Sequence, residues 1–259
     1  MKPWALFAAL VSSFLAAIVL ALAAAPAEAA SPFSNWAAIV VAGDFHAAHT
    51  DNPTETFDNA RRDVSTALEK IGFLPANLRE FSVRPDRYAD TKPLKSDLQP
   101  IYETLRDLTA HAPGGCLIYF TSHGAPEGLV LGDNLMPPGI MDQLITQTCG
   151  RRPTVVIISA CFSGVFVPVL ADANRMILTA ARPDRSSFGC SESDKYPYFD
   201  TCFLKVIPTV HDFAALGPAV QACVAQRERE TGSTPASEPQ VSVGASLRPT
   251  LPLLVFPTG

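Results

Sequence analysis

The chain has 259 residues, a formal charge of −5 at pH 7 and 47% hydrophobic residues, the balance of an ordinary globular protein. Its slightly acidic surface offers no basic field to hold a phosphate backbone, so nucleic acid is excluded as an expected partner. After a short leader, about 230 residues remain, a length that suits one domain.

The first residues carry an address. Lys2 is followed by Trp4 to Ala25, apolar except for Ser12 and Ser13, and then by Pro26 and the small-residue site Ala27-Glu28-Ala29. That order predicts a signal peptide over residues 1–29, cleaved after Ala29, and export to the periplasm or the outside. The apolar stretch also approaches the ~20 residues that cross a bilayer, so an uncleaved anchor facing the periplasm is the competing expectation.

Residues 30–259 then alternate between strand and helix patterns. Ala37 to Ala42 reads as a strand ending at Gly43, and Asp44 to Thr54 as a polar loop. Glu55 to Ile71 reads as a helix, because Phe57, Ala60, Val64, Ala67, Leu68 and Ile71 recur at three- and four-residue spacing before the terminator Gly72. Strands are predicted at Arg79 to Val83, Gly115 to Thr121, Thr154 to Ala160 and Arg175 to Ala180, with helices at Lys95 to Ala110 and Met136 to Thr148. Strands apolar on both faces and separated by amphipathic helices imply parallel βαβ units, hence an α/β, three-layer αβα domain around a mainly parallel sheet of about six strands. Residues 225–248 are rich in charge, Ser, Thr and Pro and read as a surface loop open to self-cleavage. Leu251 to Phe256 reads as an edge strand, because Pro252 cannot donate to a ladder.

The chemistry is expected at two strand ends. Ligands of open parallel sheets collect outside the carboxyl ends of the strands. There L-I-Y-F-T runs into Ser122-His123-Gly124, and V-V-I-I-S-A runs into Cys161-Phe162-Ser163-Gly164. Alone, Cys161 would read as a buried core residue and His123 as a turn residue. Together they meet the needs of a thiol nucleophile and its proton-transfer partner, which must be close in space but not in sequence. The neighbouring glycines let backbone amides approach a substrate carbonyl, so Gly124 and Cys161 are the expected oxyanion donors. Asp44, His46 and His49 share one loop and are read as a solvated surface, so no metal and no cofactor are expected.

Six cysteines in an exported chain favour disulfides. If Cys161 stays a thiol, parity leaves at least one more unpaired. Cys116, inside a buried strand, is the expected second thiol. The other four permit three connectivities, and Cys190 with Cys202 is the pairing to try first.

The strings I-Y-F-T-S-H-G-A-P, V-I-I-S-A-C-F-S-G and A-I-V-V-A-G resemble the legumain (asparaginyl endopeptidase) family of caspase-related cysteine peptidases, over roughly Ala37 to Lys205. The resemblance implies a caspase-like fold and a peptide or protein substrate, cleaved through a Cys161 acyl-enzyme with His123 protonating the leaving amine. It equally allows a transamidase or ligase using the same dyad, or a peptide-binding member without turnover. Ser186 resembles the family's pocket-lining serine. Where legumains place a pocket Glu this chain has Ser159, and where they place Arg-His it has Glu55-Thr56. Strict cleavage after Asn is therefore not implied. Carboxylates at Glu55, Asp194 and Asp200 would suit a basic side chain if they line the pocket.

Overall fold

The computed structural model describes residues 30–50 and 52–257, so the predicted signal peptide or anchor over 1–29 lies outside the described residues. In chain order the elements are β1 (Trp36–Ala42), α1 (Thr56–Lys70), β2 (Leu78–Ser82), β3 (Leu94–Lys95), α2 (Leu98–His111) and β4 (Gly115–Thr121). A small hairpin sheet follows, formed by β5 (Gly124–Ala125), β6 (Gly128–Leu131) and β7 (Asn134–Met136). Then come α3 (Pro138–Thr148), β8 (Thr154–Ser159), α4 (Val167–Leu170), β9 (Arg175–Thr179), α5 (Tyr198–Val206), α6 (Phe213–Thr231) and β10 (Gln240–Val243).

The central sheet has seven strands in the order β10-β9-β8-β4-β1-β2-β3. Only β10, antiparallel to β9, departs from the parallel arrangement. Two-residue alternation divides its side chains between two helix layers. Ile39, Ile118, Phe120 and Val156 pack with Ile101 and Leu105 of α2 and Met141 and Ile145 of α3. Val40, Leu117, Val155 and Ile157 pack on the other side with Val64 and Leu68 of α1, Phe203 of α5 and Leu216 of α6. Every residue of β1, β4, β8 and β9 is buried. Each fully buried Leu, Ile, Val or Phe contributes about 1.5–3 kcal/mol. The layered architecture is therefore the one that the continuous apolar runs demand.

The C-terminal third departs from the expectation. The predicted loop over residues 225–248 begins inside α6, which runs to Thr231, and ends beyond β10. Val220, Val224 and Glu228 are buried at four-residue spacing, and the charged residues between them are the solvated face of the same helix. Asp212 caps its start by accepting from the Ala215 amide, and Gly232 in the left-handed region ends it. Within that stretch, residues 232–239 and 244–248 lie outside helix and strand. Leu251 to Phe256 is no edge strand: Leu251–Leu253 form a 3-10 turn that buries Leu251, and Phe256 inserts among Phe33 and Phe213.

The disulfides also differ. Cys116 pairs with Cys149 at a Cα–Cα distance of 6.1 Å, and Cys202 with Cys223 at 5.6 Å. Cys116 points to the α2/α3 face, where α3 ends at Cys149, while Cys202 points to α6. Cys190 is free, because it packs with Ala42 and Phe57 at the sheet's carboxyl end and not beside Cys202.

Register positions the site. Ala42, Thr121 and Ser159 are cross-strand partners at the ends of β1, β4 and β8. Hydrogen bonds from Gly43 N to Thr121 O and from Ser122 N to Ser159 O carry this row one residue further. Asp44, His123 and Cys161 each stand two residues past it.

Candidate active site

Cys161 leaves β8 through a sharp turn. Phe162 adopts the left-handed conformation at φ +56°, uncommon for a bulky residue, and its amide donates to the Arg185 carbonyl at 2.8 Å. The turn exposes Cys161 partly in a cleft of about 920 Å³, lined also by His123, Gly124, Ser186 and Cys190. The Ser187 amide donates to Cys161 Sγ at 3.2 Å and fixes the sulfur's position. Among the described residues the Cys161 amide donates to no acceptor, so it is free to meet a developing oxyanion.

His123 is fixed from behind. Its Nε2 lies 2.9 Å from the His46 carbonyl oxygen, which accepts only, so Nε2 donates there and Nδ1 is left for proton exchange. Phe57 meets the ring edge-to-face at a centroid distance of 5.0 Å. Gly124 follows directly, and a Cβ there would overlap the Cys161 carbonyl oxygen, so only glycine lets the two strand ends approach this closely.

The two free cysteines are not equivalent. Burial pushes the Cys190 thiol well above its ordinary value, and Cys161 and the carboxyl groups of Asp200, Asp194 and Asp44 raise it further. Cys190 is thus held as a neutral thiol beside the more exposed Cys161.

Of the residues expected to recognise substrate, Ser186 and Asp194 line the cleft, and Ser159, Asp200 and Glu55 do not. Ser159 and Asp200 lie beneath its floor. Asp200 is fully buried and accepts from Tyr119 Oη, from Thr121 Oγ1 at 3.0 Å and from Ser159 Oγ at 2.6 Å. Burial pushes its carboxyl up to about 6 although all three hydroxyl groups oppose the shift. Glu55 faces away, accepting from Tyr88 Oη at 2.6 Å and pairing with Arg87 at 2.9 Å and Arg84 at 3.3 Å. The residues that sequence reasoning missed act through backbone atoms, the His46 carbonyl and the Ser187 amide, which side-chain identity does not encode. Asp44 was visible, but as a loop residue. Its place in the row of His123 and Cys161 needs the strand register.

A family model described as the peptidase C13 family matches residues 38–217. The fold is similar to the crystal structure of caspase-1 from Spodoptera frugiperda, with a TM-score of 0.58 and 16% identity over 82% of this chain and 88% of that one. No curated protein matches the sequence.

Proposed function

Because the chain belongs to the peptidase C13 (legumain) family and is a cysteine-type peptidase acting on peptides or proteins, we propose that it is an exported endopeptidase in which Cys161 forms the acyl-enzyme and His123 moves the proton. The observation that carries this reading is the presence of two oriented groups in one cleft: a sulfur that accepts an amide hydrogen bond, and an imidazole whose Nε2 is engaged by the His46 carbonyl. Cys161 gives its thiol proton to His123 Nδ1 as Sγ attacks the scissile carbonyl carbon, and the oxyanion is met by the amides of Cys161 and Gly124. His123 passes that proton to the leaving amine as the C–N bond breaks. Water then attacks the thioester and gives a proton to His123 Nδ1, and as the C–S bond breaks that proton returns to Sγ, leaving the free thiol and a new carboxyl terminus.

Export is supported by the leader-like residues 1–29 and by two disulfides, which persist in oxidising compartments. Incubating the processed protein with a peptide library tests the function. His123→Ala is expected to slow cleavage by ~10²–10⁴-fold. Cys161→Ala is expected to abolish it. Unchanged cleavage by the Cys161→Ala variant would overturn the reading.

A further inference from the structure

We propose that Asp44 and Asp194 are the specificity-determining residues of this cleft and that the peptidase cleaves after lysine or arginine. The proposal rests on Cys161 being the nucleophile and adds the class of side chain bound next to it. Both aspartates line the cleft that holds Cys161 and His123. Asp44 stands in the same row past the sheet as those two residues.

Each carboxylate is held on one oxygen and left open on the other. The Asp44 side chain is 10% exposed. Its Oδ1 accepts from the amides of Phe45 and His46 at 2.6 and 3.1 Å and lies 2.7 Å from His46 Nδ1. Among the described residues no donor reaches its Oδ2. Asp194 repeats the pattern, with Oδ2 accepting from the Ser191 amide and hydroxyl at 2.8 and 2.5 Å and Oδ1 from no described group. The loops bearing them are tied together: the Ala48 amide donates to the Cys190 carbonyl at 2.7 Å, and Thr56 Oγ1 to the Asp194 carbonyl at 2.6 Å.

Cations that would cancel this charge are committed elsewhere. Arg185, the guanidinium on the cleft wall, donates to Asp184 Oδ2 at 2.8 Å, and Asp184 also receives Arg182 at 3.0 Å. At the position where the resembling family carries Arg-His, Glu55 faces away and Thr56 spends its hydroxyl on the loop. A partly buried pocket with two half-used carboxylates attracts an ammonium or guanidinium group. It repels an acidic side chain and leaves an amide one charge-assisted contact at best.

The test is a fluorogenic library varied at the residue before the cleaved bond, read at pH 8, above the ordinary titration range of histidine. Lysine and arginine are expected to exceed asparagine in kcat/KM by at least about tenfold, and Asp194→Asn to lower the arginine-to-asparagine ratio by about tenfold. Asp44→Asn is read by the same ratio, which needs only folded, measurable enzyme. Preferred cleavage after Asn, Asp, Glu or an apolar residue overturns the proposal, and so does an unchanged ratio in both variants. If that cleavage still depends on Cys161, the assignment of the nucleophile survives. Absence of cleavage after every residue, with no substrate acyl group on Cys161, overturns both.

Discussion

The carboxyl end of the sheet and the helix layer behind it use polar groups in opposite ways. In the cleft, the Cys161 amide, His123 Nδ1 and one oxygen each of Asp44 and Asp194 have no partner among the described residues. Behind it, polar groups turn towards one another. Arg61, fully buried, donates to Asp58 at 3.0 Å, pairs with Glu80 and stacks on Tyr88, although Arg61 Nη2 and Asp58 Oδ2 are buried without a hydrogen-bond partner, while Asp200 collects three hydroxyl groups. Unused hydrogen-bonding capacity that a substrate can reach is thus in the cleft, and buried charge pairs and hydroxyl contacts hold the walls in place.

Substitutions can break that contrast. Arg61→Ala leaves Asp58 buried without its partner, and urea unfolding should show a loss of about 3–5 kcal/mol. A loss under 1 kcal/mol would mean that Arg61 and Asp58 are not a buried pair. Asp200 has a smaller effect and a defined sign. Because burial raises its folded-state value to about 6 from an ordinary 3.8, its contribution to stability is fully present below pH 4 and is lost as pH rises through 6. The loss is worth about 3 kcal/mol. Unfolding measured from pH 4.5 to 7.5 should show about 2 kcal/mol of that decline in the wild type and not in Asp200→Asn, and parallel curves would contradict it. The smallest effect is local. Brief iodoacetamide treatment of the folded protein should label Cys161 about a hundredfold faster than Cys190, because the thiolate is the reacting form. Comparable labelling, read by peptide mass mapping, would remove the distinction between the two thiols.

The central sheet was readable from sequence because its strands are short apolar runs buried on both faces, and β4 coincides with the predicted Gly115 to Thr121. Cys161 and His123 could be placed at strand ends for the same reason. The C-terminal third was not readable in this way. The exposed face of α6 hides a buried stripe of only a few residues interrupted by Pro218, so composition favoured a loop. The cysteine pairing depended on which face of β4 carries Cys116 and on where α3 ends, both tertiary facts. Pocket residues were misassigned most. Ser159 and Asp200 are adjacent to the site along the chain, but they point under its floor, and alternation along β8 does not say which layer is the cleft.

The account stands on Cys161 as the acyl carrier. A cleavable peptide should be mixed with the protein for a time shorter than one turnover, quenched in acid and followed by intact and peptide mass spectrometry. The mass of the substrate's N-terminal acyl portion should appear on the tryptic peptide containing Cys161, and in His123→Ala it should form far more slowly. Cleavage that proceeds with no adduct on Cys161, or with the adduct on Cys190, would contradict the account.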